Sequence, residues 1–216
     1  MAELNIYNAD KKVVGSVALP KAFDGKVRKG LLYQVATAQL TNRRQGNAKV
    51  KTRHEVAGST RKIVSQKGTG GARHGDIKAP IFVGGGRAFG PKPRDYEVRL
   101  PQKIRNQALV DALMDRREEG RLWVLDGLKF DKPETKKAAK ILKAFEFSGV
   151  LAGAKASILF VVNAQESALE KSVRNMERVS SCRVEAVSVT EVLKHNHVVA
   201  SKEAFESLMN RVARIA

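Results

Sequence analysis

The stretch from Arg43 to Arg94 cannot build a hydrophobic core of its own, and it lies in the middle of the chain. It carries Arg43, Arg44, Lys49, Lys51, Arg53, Arg61, Lys62, Lys67, Arg73, Lys78, Arg87, Lys92 and Arg94 against only Glu55 and Asp76, with ten of the chain's 17 glycines. Thirteen cations against two anions leave +11 of a total net charge of +18. Such a segment buries too little apolar surface to offset its chain entropy and repels itself. A large polyanion is the natural partner, nucleic acid before any other. The small apolar islands Val50, Val56, Ile63-Val64 and Ile81-Phe82-Val83 predict some extended, hairpin-like pairing at its base. Folded back as a ribbon, about 26 residues each way at roughly 3.3 Å per residue give a reach of about 85 Å. The expectation is a projecting loop, mobile in the free protein and ordered by its partner.

The remainder of the 216 residues, outside that stretch, suffices for one buried core. Leu4, Ile6 and Tyr7, a turn at Asn8 to Lys11, and then Val13, Val14, Val17 and Leu19 predict two short strands, and Pro20 ends the run. Leu31, Leu32, Val35 and Ala38 predict a helix from Gly30 to Thr41. Pro101 opens and Gly120 closes a helix carrying Ile104, Ala108, Leu109, Ala112, Leu113 and Arg116 on one face. Leu122–Leu125 predicts a strand, 134–147 a helix stopped by Gly149, and the apolar run 156–162 a strand covered on both faces. A helix over 167–178, a strand over 184–189, a short helix capped by Thr190, a strand at Val198-Val199 and a final helix from Ser201 complete the pattern. In that last helix Phe205, Leu208, Met209, Val212 and Ile215 form the stripe.

Strands alternating with helices imply crossover units. The predicted fold is therefore α/β: a layered domain with a mainly parallel sheet flanked by helices, plus the long basic extended loop inserted after the first helix. Residues 1–42 and 95–216 form the domain and 43–94 the loop.

Catalytic and cofactor motifs are not found. Gly85 and Gly90 have the spacing of a phosphate loop, but Pro91-Lys92-Pro93 follows where Lys and then Ser or Thr are needed. Gly68-Thr69-Gly70-Gly71 lacks the strand–turn–helix setting of a dinucleotide site. Of the four histidines, His54 and His74 lie in the basic loop, suited to phosphate or solvent, and His195 and His197 flank Asn196 at a helix end, where surface histidines are common. Asp111 and Asp115 lie one turn apart beside Arg116 and Arg117, a pattern of surface salt bridging. Cys182, the one cysteine, allows neither an internal disulfide nor a cysteine metal cluster, and as the opening of an apolar strand it predicts a small buried residue. No metal and no cofactor are expected. The N-terminus lacks a secretion signal and no apolar run spans a bilayer, so a soluble intracellular protein without a membrane partner is expected.

The loop carries the functional signal. Arg and Lys neutralise phosphates, glycines allow close backbone approach, and Arg forks stack on unpaired bases. With Phe82 and Phe89 as its only phenylalanines, it is not a stacking platform for single strands.

The residues Ser65-Gln66-Lys67-Gly68-Thr69-Gly70-Gly71-Ala72-Arg73-His74-Gly75, then Pro80-Ile81-Phe82, Gly84-Gly85-Gly86 and Phe89-Gly90-Pro91, resemble the loop signature of the bacterial-type family of large-subunit ribosomal protein four. Arg43-Arg44-Gln45-Gly46 and Lys51-Thr52-Arg53 are similar to it as well, and the resemblance extends over essentially the whole chain. It implies a structural constituent of the large ribosomal subunit that binds 23S-type rRNA, meets neighbouring large-subunit proteins, and works in the cytoplasm on a bacterial-type ribosome or its organelle counterpart. It implies rRNA binding by the thirteen loop cations and His74. It also implies a loop tip of Ser65, Gln66, Lys67, Gly68, Thr69, Gly70 and Gly71 near the nascent peptide in the exit tunnel, where family changes alter macrolide response. The chain departs from the family at Gly71, often Arg, and at Val64 and Ser65, often aromatic and basic.

Two other readings fit the charge. One is a DNA- or RNA-architectural, chaperone-like basic protein outside the ribosome, although such proteins more often place their cations on groove-facing helices or tails. The other is an RNA-modifying enzyme, for which the chain offers neither a cofactor loop nor a paired acid and base.

Overall fold

A computed structural model describes residues 3–126, 128, 130, 132–145, 157–163 and 166–213. The chain divides into two compact units, Met1–Leu40 with Val98–Ala216, and Thr41–Glu97.

The first unit is an α/β layered structure. Its strands are β1 (Glu3–Tyr7), β2 (Val13–Ala18), β3 (Leu122–Leu125), β4 (Ile158–Val162), β5 (Val179–Arg183) and β6 (His197–Ser201), in the spatial order β2-β1-β3-β6-β4-β5. Only β1 and β2 run antiparallel, joined through a turn closed by Asn8 N–H to Lys12 O at 2.8 Å; every other pairing is parallel.

Period-two alternation divides the sheet's side chains between two cores. Leu159 and Val161 of β4 join Leu122, Val124, Val198 and Ala200 on one face. Ile158, Phe160 and Val162 join Leu125 and Val199 on the other. The first face is covered by α1 (Lys29–Asn42), α2 (Gln102–Glu118), α5 (Val189–Lys194) and α6 (Lys202–Ala213), through Val35, Leu113, Val192 and Phe205 among others. The second is covered by α3 (Thr135–Ala144) and α4 (Ser167–Val173), through Leu142 and Leu169.

Element ends follow local chemistry. Pro101 occupies the N-cap of α2. At the other end Gly120, at φ 67°, gives Arg121 N–H to Arg116 O at 2.7 Å and Gly120 N–H to Arg117 O at 2.9 Å, the paired bonds of a Schellman stop. The α6 start is capped by Ser201 Oγ, which accepts from Ala204 N–H at 3.2 Å.

Several sequence expectations are corrected. The strand expected over 184–189 lies instead at Val179–Arg183, and Val184–Ala186 is a 3-10 turn whose Val184 enters the core. The helix expected over 167–178 ends at Val173. The cap of α5 is Ser188, accepting from Glu191 N–H, rather than Thr190. Cys182 sits late in β5 and is half-buried, with its thiol pKa raised by burial.

His195 is buried, its Nδ1 2.8 Å from Glu191 O, because the helix end it closes is packed inward. Asp111 is buried too and is gripped by Arg28 through Nε at 2.9 Å and Nη2 at 3.0 Å. Arg116 is largely buried and donates to Val192 O and Leu193 O, two carbonyls in the last turn of α5. Gly149, Ala156 and Ile215 lie outside the described residues.

Candidate nucleic-acid interface

The unit Thr41–Glu97 contains no strand, and no helix beyond the last residues of α1. Backbone bonds tie its two halves at intervals. Near its base Arg94 N–H donates to Gly46 O at 3.3 Å, Val50 N–H to Pro91 O at 3.2 Å and Arg87 N–H to Lys51 O at 2.9 Å. Nearer the middle of the segment Ile63 N–H donates to Gly75 O at 3.0 Å.

Glycine makes this approach possible where chains touch. A Cβ on Gly86 would stand 2.2 Å from the Arg53 nitrogen, inside any allowed contact. Gly68 and Gly70, in the Ser65–Gly71 stretch, have positive φ but nothing within 4 Å of a would-be Cβ.

Of the two acids between residues 43 and 94, Glu55 holds a local turn and Asp76 ties residues distant in sequence. Glu55 Oε2 accepts from Thr52 N–H at 2.9 Å and from Thr52 Oγ at 3.2 Å, while Oε1 lies 3.0 Å from Lys49 Nζ. The Thr52 amide, followed by Lys49, holds the Glu55 carboxyl at about 2, well below the usual carboxylate range. Asp76 is buried, and Arg53 Nη2 lies 3.3 Å from both of its oxygens. At the base, Tyr96 receives two guanidiniums, Arg44 Cζ at 4.2 Å and Arg94 Cζ at 4.4 Å from the ring centroid. Its phenol pKa is lowered by Arg94 first and by Arg44 after it.

Twelve of the thirteen cations singled out in the sequence are exposed: Arg43, Arg44, Lys49, Lys51, Arg53, Arg61, Lys62, Lys67, Arg73, Arg87, Lys92 and Arg94. Lys78 differs. It is buried, and its stem lies against Gly58. His74 is half-buried and packs edge-on against Phe82 with ring centroids 5.1 Å apart. Ser65, Gln66, Lys67, Gly68, Thr69, Gly70 and Gly71 are all exposed, and Lys62 Nζ reaches Gln66 Oε1 at 2.5 Å.

Sequence reasoning missed Tyr96, which lies two residues past the expected loop boundary, and the structural use of Glu55. The Thr52-x-x-Glu55 spacing was the available signal for the second. Among the described residues no cluster of His, Cys, Asp and Glu is arranged to hold a metal, and no helix is long and apolar enough to cross a membrane.

The sequence model of the Ribosomal protein L4/L1 family matches residues 17–211. The chain belongs to this family. It is 40% identical over 209 residues to large ribosomal subunit protein uL4 of Clostridium novyi (strain NT), covering 96% of this chain and 98% of that protein. To uL4 of Desulforudis audaxviator (strain MP104C) it is 41% identical over 201 residues, covering 92% and 93%. To uL4 of Aquifex pyrophilus it is 42% identical over 191 residues, covering 88% and 93%. The family is one of ribosomal proteins of the large subunit and not of enzymes.

Proposed function

We propose that this protein is a structural constituent of a bacterial-type large ribosomal subunit in the cytoplasm and binds 23S-type rRNA through residues 43–94. The exposed cations neutralise phosphates inside folded RNA, and the narrow glycine-rich backbone lets RNA close around it. The α/β unit serves as the attachment and meets neighbouring large-subunit proteins. Ser65, Gln66, Lys67, Gly68, Thr69, Gly70 and Gly71 stand beside the path of the nascent peptide.

The observation that carries this reading is the combination of twelve exposed cations with a unit that has no sheet and no apolar core. Membership in the Ribosomal protein L4/L1 family supports the ribosomal setting.

Sucrose-gradient sedimentation tests it. The protein is expected to comigrate with large subunits and to stay there through a moderate salt wash. If about eight phosphates are neutralised, log K for the rRNA falls with log salt at a slope of magnitude roughly 6–7. Equal affinity for duplex DNA at the same salt would instead support an architectural protein outside the ribosome. A photo-crosslinker at Thr69 that never captures a stalled nascent chain would remove the tunnel assignment and leave rRNA binding standing.

A further inference from the structure

The two phenylalanines of the basic unit are placed in contrasting ways. Phe82 is half-buried and rests against His74. Phe89 has a relative exposure of 108%, so its ring is packed against no residue of the unit Thr41–Glu97. Its φ is 51°, in the left-handed region where a bulky residue is an outlier.

The backbone on both sides is pinned. Arg87 N–H is bonded to Lys51 O at 2.9 Å, and Pro91 O accepts from Val50 N–H at 3.2 Å. Gly90 is pressed so close to Val50 that a Cβ there would lie 2.0 Å from Val50 Cγ2. The ring is thus held outward by a strained residue between fixed neighbours. No contact within the unit compensates the strain or the forgone burial of a phenylalanine.

The surroundings say what kind of partner fits. From Ile77 to Arg94 there is no acid, and Arg87 and Lys92 are exposed cations two and three residues from the ring. An apolar flat face beside two cations matches a nucleobase with its adjoining phosphates. An apolar pocket on a neighbouring protein would leave those cations unmatched.

We propose that Phe89 is a single stacking post, rather than a platform of several rings, for an unpaired base of the RNA, with Arg87 and Lys92 on the phosphates beside that base. The proposal rests on the RNA-binding reading above and adds a contact that charge alone does not supply. A ring held ready outside the surface loses little freedom on stacking.

The test uses the full chain and a 23S-type rRNA transcript at fixed salt. Phe89→Ala is expected to weaken binding about tenfold, in the range found for loss of one base–aromatic stack, and to leave the salt slope unchanged because no phosphate contact is lost. Phe89→Leu keeps apolar area without a π face and is expected to lose about as much. Phe89→Trp is expected to restore affinity, with its emission quenched on RNA against the background of Trp123, the chain's one native tryptophan.

Unchanged affinity in Phe89→Ala, full rescue by leucine, or an unquenched tryptophan at 89 would each overturn the proposal. So would a Phe89→Ala protein that binds the transcript normally but fails to enter subunits, which would put the ring on a protein neighbour. If the unaltered protein does not bind the transcript, the RNA-binding reading itself fails, and that is seen before any variant is compared.

Discussion

Phe160 and Phe89 are the same residue put to opposite use. Phe160 is 2% exposed in the middle of a strand whose five residues are all buried, whereas Phe89 is fully exposed on a segment with no core to enter. The layered unit is determined from within, by side chains that leave water. The basic unit is determined by backbone ties, close glycine contacts and the pairing of Glu55 and Asp76 with Lys49 and Arg53, with its remaining valence directed outward. One chain therefore carries a part that specifies its own shape and a part that keeps most of its binding capacity for something else.

The sharpest way to break that contrast is to damage each part by its own means. Leu159 is fully buried, and Leu159→Ala is expected to destabilise the layered unit by about 2–5 kcal/mol through lost transfer energy and a residual cavity. Urea unfolding followed by Trp123 fluorescence measures it. Gly86→Ala forces a methyl against the Arg53 nitrogen and is expected to cost the basic unit about 1–3 kcal/mol by overpacking. That loss should show as faster exchange of the Arg87 amide while the Trp123-detected transition stays put. A shift of that transition as large as the one from Leu159→Ala would mean that the two units unfold together.

Tyr96 probes a smaller effect. Each exposed cation–π contact is worth about 0.5–1 kcal/mol, so Tyr96→Leu is expected to release both Arg44 and Arg94 and to weaken rRNA binding several-fold. Tyr96→Phe keeps the ring and is expected to restore most of the affinity. Equal losses in the two variants would assign the effect to the phenol hydroxyl.

The same contrast explains what the sequence made legible. Helix α2 could be outlined because both ends carry their own signals, Pro101 and Gly120, and β4 because Ile158-Leu159-Phe160-Val161-Val162 is an unbroken apolar run. Strand β5 was hidden because Val179-Ser180-Ser181-Cys182-Arg183 lies at the sheet edge and needs little apolar content, while Val184 fills the core from a 3-10 turn and Val187 and Val189 fill it from beyond that turn. Strand β6 was understated as Val198-Val199, although its polar ends, His197 and Ser201, belong to a strand flanked on both sides by parallel neighbours. In the basic unit, charge and glycine marked residues 43–94 as a stretch unable to form a core of its own. They could not separate Lys78, which is buried, from its exposed neighbours, nor show that Arg53 and Lys49 also serve the unit's own acids, because those depend on contacts between residues distant in sequence or turned by a local bend.

Glu55 offers the mildest perturbation, since it changes one proton and no atom of the backbone. Its carboxyl is held at about 2, against an ordinary 4.5, chiefly because the Thr52 N–H donates to the ionised form. A depressed folded pKa means that the carboxylate's contribution to the turn is fully present above the unfolded value and is lost as pH falls through the folded one. The turn is therefore expected to keep its hydrogen bonds from neutral pH down past 4.5 and to loosen only as pH approaches 2. The Thr52 amide proton reports this directly: its chemical shift should titrate near 2, and Glu55→Gln should abolish the titration while leaving the layered unit's resonances unmoved. A midpoint near 4.5 would mean that Glu55 is solvated like any free carboxylate, and that this turn, like the rest of the arm's outward charge, waits for a partner to set it.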